Sequence, residues 1–527
     1  MEGTGRRVTW RHALPLAGVI FLCVGWPTLL AHYTGSLGIP HNDAWAYSLI
    51  AQRYAHGGAF ELVGWAAVGL AGQVVVLGPL GASIVIQHLF VAALASVGLL
   101  ATYGWLVPRV GAGRALLSTA LVGLMPDFGL LATSYMTDLP AYAAVVSCLF
   151  LTDHALRTRQ TRYLLGALAV GTWGVTVREL AIVGPVVAVV VTAMAWRGRK
   201  RWIALLGGVF SFLVIVGFEM WRRSLAYGEP PWFHVDPVYA ATIAACGCFT
   251  VALAVFPAAL LTARPGSWSR RARLMSALAL LVAVVGACVL QGKVFLGNYL
   301  QRSGAYSDAS IGVRSVFPNW WWFGLVAIAC VSIALIVGCF IDAGVSLDPM
   351  FGLLLLLLVG GTFVQALTGH LIFARYVLLV VVIVCVALLG SPRAGERSRP
   401  SGPRPVLLLV AIAFLAATST AITGNALAWD AARWQAASAL VARGVPATDI
   451  DAGLEWVGYH ASGPAAWSSA HTGALAFYMP AFAHSRECYA ISASPLEGLR
   501  PDSTEHYHTY GLVGSSTLWV YRLSPCR

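Results

Sequence analysis

The feature that most constrains this chain is a succession of long, nearly uncharged hydrophobic stretches from residue 13 to residue 423. About 13 of them approach the ~20 residues that a helix needs to cross a hydrocarbon core. They run at 13–31, 79–103, 113–127, 139–153, 163–177, 180–196, 203–221, 238–262, 275–291, 319–341, 350–368, 372–390 and 405–423. The third to fifth are short by that rule. Backbone polar groups in lipid must be satisfied within the segment, so spans of this kind are helical. The expected fold class is an all-α polytopic membrane protein. A soluble domain of 527 residues is excluded by 58% hydrophobic and 11% charged content and by a mean hydropathy of +0.74.

The net charge of +12 suggests nucleic acid until its location is considered. With the N-terminus placed in the cytoplasm, the cytoplasmic segments hold Arg6, Arg7 and Arg11, then Arg109 and Arg114, and then the groups at 157–162, 197–201, 264–273 and 393–404. These are 20 of the 34 basic residues, all beside spans. The pattern follows the positive-inside rule and excludes a nucleic-acid partner. It predicts an odd number of spans, a cytoplasmic N-terminus and an outside C-terminus. The apolar run after Arg11 imitates a signal peptide but lacks a small-residue cleavage site after Trp26, so it is expected to stay as the first helix. Arg-rich, Lys-poor usage with abundant Ala, Val and Gly suggests a bacterial plasma membrane protein.

Past residue 424 the hydrophobicity falls. Ala426 to Ala442 has an amphipathic helical pattern, and Thr517 to Leu523 alternates like a strand. The expected division is a transmembrane domain at 1–423 and a small C-terminal α/β extracytoplasmic domain at 424–527, with a cytoplasmic linker from Ser391 to Pro405. Eight of the ten cysteines lie in apolar spans. Cys488 and Cys526 lie in the polar C-terminal part, where an oxidising compartment predicts a disulfide. No CxxC or His/Cys ligand cluster is present, and His56, His234 and His370 are scattered, so no metal and no cofactor is expected.

This orientation gives the outer side the loops 32–78, 127–138 and 292–318, together with the turns at Arg178-Glu179 and at His370 to Tyr376. Lys293, Arg302 and Arg314 fall there against the positive-inside rule, and an outer-leaflet phosphate accounts for them. In the first loop, Asp43, Tyr47, Ile50 and Tyr54 share one helical face, apolar and aromatic except for the carboxylate at its start. Arg53 and Glu61 follow closely. Two readings of Asp43 stand side by side: a catalytic base, or a helix cap made by it or by Asn42. Asp138 opens a span before Leu-Pro, so it too is either functional or a cap. Two readings also stand for Arg178, a ligand contact or a pair with Glu179 or an adjacent loop, and for Arg375, a phosphate contact or a side chain that reaches the interface from within the span.

Four stretches resemble membrane-embedded GT-C glycosyltransferases, in the branch of protein O-mannosyltransferases and aminoarabinose lipid A transferases (glycosyltransferase family 39-like). They are Asn42-Asp-Ala-Trp-Ala-Tyr47, Gly58 to Trp65 with Leu70-Ala-Gly-Gln73, Ser134-Tyr-Met-Thr-Asp-Leu-Pro140, and His370-Leu-Ile-Phe-Ala-Arg-Tyr376. Ile450 to Tyr459 is similar to a segment after the last span of bacterial relatives. The resemblance covers about residues 1–390. It implies a GT-C fold, a polyprenyl-phosphate sugar donor, inversion at the anomeric carbon and no need for a metal. Asp43 takes the catalytic-base position and Asp138 the second acidic position. Arg178, Lys293, Arg302 and Arg375 are the candidate donor-phosphate ligands, and Tyr47, Arg53 and Glu61 the candidate substrate contacts. The expected partners are that donor, membrane lipids and a cell-envelope acceptor, whether glycan, lipid or protein. The first loop carries one acid where the mannosyltransferases have an Asp-Glu pair. A transporter or flippase for lipid-linked sugars is the rival; it calls for mid-span charges and two related halves, and neither is visible.

Overall fold

A computed structural model describes residues 10–63, 70–225, 234–307, 310–314, 316–344, 347–390, 404–461, 474–482, 485–509 and 517–526. Among these residues, nine helices are long and apolar enough to cross a membrane. They are Ala13–Thr34, Ile84–Val110, Asp138–Thr158, Arg199–Ser224, Pro237–Thr262, Arg270–Val289, Asn319–Ala343, Pro349–Leu367 and Pro405–Ala442. The other four expected spans are shorter helices: Ala112–Gly123, Thr161–Val177, Val183–Ala195 and Leu378–Leu389.

Asp138–Thr158 is the central helix, packed against Ile84–Val110 on one side and Thr161–Val177 on the other. Of its most apolar window, 72% is buried, against 11% for Arg199–Ser224 and Arg270–Val289. Those two helices are hydrophobic all round and show Leu206, Phe210, Leu213 and Leu281 outward. Such a surface is stable only against lipid.

Two differences from the sequence expectation have plain causes. The second span begins at Ile84 rather than at residue 79, because Gly78-Pro-Leu-Gly-Ala82 winds into a 3₁₀ turn. The last span does not stop near residue 423 but continues through the amphipathic stretch as one helix, Arg404–Ala442, because no proline interrupts it. Its second half leaves the apolar layer and joins the C-terminal part.

There a four-stranded sheet has the order β1-β2-β4-β3, with β1 Ile450–Asp451, β2 Tyr489–Ser492, β3 Ser503–His506 and β4 Thr517–Arg522. β1 runs parallel to β2, and the other pairs are antiparallel. Trp429, Ala437 and Leu440 of the long helix pack with Ile491, Leu518 and Val520 of the sheet. A disulfide joins Cys488 to Cys526. Loop 292–318 is tied on through Ile311, which bridges to Ser492. Arg314 of the same loop is buried, bonds the carbonyls of Ser303, Ala305 and Asn425, and lies over the Trp429 ring.

Candidate active site

Three separate chain reversals place charged side chains at one end of the central helix. The first is the turn that opens the helix at Thr137 and Asp138. The second is Arg178, extended between the helix Thr161–Val177 and the short turn Glu179–Ile182. The third is the turn Ala374–Val377, which carries Arg375 and Tyr376 into the helix Leu378–Leu389. Asp138 Oδ1 lies 3.1 Å from Arg178 Nη1 and 3.1 Å from Arg375 Nε. Arg178 also donates to Thr137 Oγ1 at 2.9 Å and to the Tyr376 hydroxyl at 2.9 Å. Arg375 donates to the Tyr299 hydroxyl at 3.4 Å and stands over the Phe373 ring. Thus Asp138 does not cap its helix, and Arg178 engages Asp138.

Two guanidinium groups sharing one carboxylate leave a surplus positive charge. Among the described residues, Asp138 Oδ2 has no hydrogen-bond partner, and Arg375 Nε meets Asp138 only as an ion pair. A small cavity of about 50 Å³ opens beside them, lined by Tyr142, Leu180, Ala181 and Leu379 among others.

Asp43 approaches this cluster from the first loop. It stands at the start of the helix Ala44–Ala55, but its side chain makes no capping bond, and no other hydrogen bond is found for it among the described residues. Asn42, in the left-handed region at φ 49°, does not cap either, and its side-chain nitrogen is buried without a partner. Asp43 is half-buried. Desolvation pushes its carboxyl above the ordinary range; Arg375 and Arg178 pull it back, and Asp138 pushes it further. Tyr47, one turn on, is buried and feels the same three charged neighbours together with Asp43 itself.

Comparisons with known proteins add little to this geometry. No family model matches the chain. No curated protein matches it. Among solved structures it is similar to the crystal structure of ArnT from Cupriavidus metallidurans bound to undecaprenyl phosphate. The likeness has 13% identity and a TM-score of 0.39, and covers 84% of this chain and 85% of that one. At that level the site stands on its own residues.

Asp43, Tyr47, Asp138, Arg178 and Arg375 therefore come together. Arg53 and Glu61 do not join them: they line an open basin of about 470 Å³ with Gln52 and His56, past the far end of the first-loop helix. Lys293 and Arg302 lie exposed at another groove, of about 800 Å³, walled by Leu280, Val284, Val326 and Val331. Arg302 bonds Asn319 there. The sequence pattern does not mark Thr137, Tyr299 or Tyr376 as site residues, nor Asp127, whose two oxygens are buried without partners among the described residues. Tyr376 adjoins Arg375 in a motif already singled out, which was the available signal. For Tyr299 there was none beyond its loop.

Proposed function

We propose that this protein is an inverting glycosyltransferase of the GT-C class. It would move a sugar from a polyprenyl-phosphate donor to a cell-envelope acceptor at the outer face of the bacterial plasma membrane. The observation that carries the reading is the pairing of Asp43, a carboxylate that caps nothing and has no hydrogen bond among the described residues, with a cluster that holds more guanidinium than carboxylate. Asp43 takes the proton of the acceptor hydroxyl; the acceptor oxygen attacks the anomeric carbon; the bond from that carbon to the phosphate oxygen breaks. Polyprenyl phosphate leaves with the electron pair, and Arg178 and Arg375 stabilise it through charge-assisted hydrogen bonds. One displacement inverts the carbon. The raised carboxyl of Asp43 suits this role, because a base works best when its pKa approaches the working pH.

Two further features support a lipid-linked donor. A groove of about 360 Å³, almost wholly apolar, includes Ile372 and Val377 on either side of the Arg375 turn, and its walls suit a polyprenyl tail. Lys293 and Arg302 head a second apolar groove and would serve an anionic lipid headgroup. Orientation rests on charge and redox. Arg157 lies at the opposite end of the helix from Asp138, and Arg109 pairs with Asp153 there. The cluster shares its side with the disulfide-bearing C-terminal part, as expected of an oxidising compartment. The test is single-turnover transfer from polyprenyl-phosphate sugars by the purified protein, with the anomeric configuration of the product read by NMR. Retention of configuration, or no transfer from any such donor, would overturn the reading.

A further inference from the structure

The helix that carries Asp43 is gripped by residues near the other end of the chain. His41, two residues before Asp43, is fully buried, and its Nδ1 donates to Asp430 Oδ2 at 2.8 Å across 389 residues of sequence. Asp430 is fixed in turn by Arg433, which also reaches Glu455 and donates to the Ala452 carbonyl at 2.6 Å. Trp45, two residues after Asp43, lies flat against Gly458 of the short helix Leu454–His460. A Cβ at Gly458 would stand 2.3 Å from the Trp45 ring, so only glycine permits this approach. Phe482 closes on the same indole with ring centroids 5.7 Å apart. About two turns further along the first-loop helix, Gln52 Oε1 accepts from the hydroxyl of Tyr459, the residue after Gly458, at 3.2 Å.

Among the described residues, Asp43 has no hydrogen bond of its own to set its place. Its position follows from its two flanks, and both flanks are held by C-terminal residues. We propose that these residues are positioning residues of the catalytic centre: Asp430 through His41, and Gly458 through Trp45, fix where Asp43 stands relative to Arg375 and Asp138. None of them touches the reacting atoms. The inference rests on the reading of Asp43 as the base. It makes the C-terminal part a component of the active site, because a displacement of about 1 Å in a catalytic group is enough to cost two orders of magnitude in rate.

The test uses the full-length protein with Gly458→Ala, the same change combined with Trp45→Phe, His41→Ala and His41→Asn. Two quantities are read: kcat and KM for a polyprenyl-phosphate sugar, and deuterium uptake of peptides spanning 41–55. Gly458→Ala should lower kcat at least ~10-fold with KM within about twofold, and should raise uptake over 41–55 but not over 138–158. Trp45→Phe should restore much of both, because the smaller ring makes room for the new methyl group. His41→Asn should keep much of what His41→Ala loses, since its amide N–H can stand in for Nδ1–H. Unchanged uptake over 41–55 would overturn the proposal, and so would a rise spread evenly over all helices. If the wild-type protein transfers no sugar from any such donor, the catalytic reading fails by itself. Uptake then decides the positioning claim alone: a local rise reversed by Trp45→Phe upholds it, and no local rise overturns it.

Discussion

Among the described residues, two arginine–carboxylate clusters are buried in every member, and they are built with opposite stoichiometry. At the head of the central helix, Arg178 and Arg375 share the single carboxylate of Asp138. In the C-terminal part, the single guanidinium of Arg433 serves both Asp430 and Glu455. The first borders a cavity; among the described residues each cluster keeps one unpartnered carboxylate oxygen, Asp138 Oδ2 in the first and Glu455 Oε2 in the second. The second is packed against Trp429, whose ring lies 3.8 Å beneath the guanidinium carbon of Arg433. Burial also pushes Glu455 up to about 7, so the second cluster sits near charge balance while the first keeps a surplus cation. A buried cluster that balances itself holds a structure together. A buried cluster that does not, beside a cavity, is complete only with an anionic ligand.

The largest expected effect tests the catalytic side of this contrast. Asp43→Asn removes basicity but keeps the shape of the side chain. Turnover should fall by ~10²–10⁴, as for other losses of a general base. The melting temperature should not move, because Asp43 neither caps its helix nor bonds elsewhere among the described residues. Single-turnover rates and melting of the purified variant in detergent check both halves.

Removing the cation from each cluster should then give unlike results. Arg433→Met leaves the buried Asp430 carboxylate with only His41 beside it and takes the donor from Glu455, and should cost about 3–5 kcal/mol of stability. Arg375→Ala leaves Asp138 still paired to Arg178 at 3.1 Å, so melting should change less. Donor affinity should instead weaken by about 1.5–3 kcal/mol, the worth of one charge-assisted hydrogen bond, or roughly 10–150-fold in Kd. If Arg375→Ala lowers the melting temperature as far as Arg433→Met while donor affinity holds, the two clusters do the same job and the contrast fails.

How legible each region was follows from the kind of signal it carries. Hydrophobic runs and loop charge mark spans directly, and each expected span corresponds to a helix. They do not mark where a helix leaves the membrane, which is why Arg404–Ala442 was divided at its amphipathic half. Asp43, Asp138, Arg178 and Arg375 could be gathered on one membrane face from the loops that hold them. Lateral placement on that face was not legible. Lys293 and Arg302 share the face yet border a separate groove, because a loop assignment fixes depth and not position in the plane. Tyr299 and Tyr376 carry no charge to draw notice and act only through their hydroxyls. The bond between His41 and Asp430 was beyond reach, since nothing local in either segment points to a partner 389 residues away.

A last contrast separates the two regions by pH. Asp451 in β1 is fully buried, and its Oδ1 accepts from the Gly453 N–H at 2.9 Å and the Tyr478 hydroxyl at 2.7 Å. Burial, and then the neighbouring Glu487 carboxyl, push Asp451 up to about 7. An unfolded chain releases this proton near pH 4, so between about pH 4 and pH 7 the folded chain holds a proton that the unfolded chain has lost. The stability it contributes is fully present below about pH 4, declines as pH rises, and is gone above about pH 7. At about 1.4 kcal/mol per pH unit, the loss is on the order of 2–4 kcal/mol. Asp451→Asn keeps an oxygen for both donors and has nothing to titrate. Its melting temperature should vary less between pH 5 and pH 8 than that of the wild type, and should be the higher of the two at pH 8. Turnover should follow the opposite course, because Asp43 works as a base only when ionised: activity should rise with pH through its raised pKa, in Asp451→Asn as in the wild type. Equal pH dependence of melting in both proteins would remove Asp451 as the source, and a variant that also shifted the activity profile would join two clusters that the geometry keeps apart.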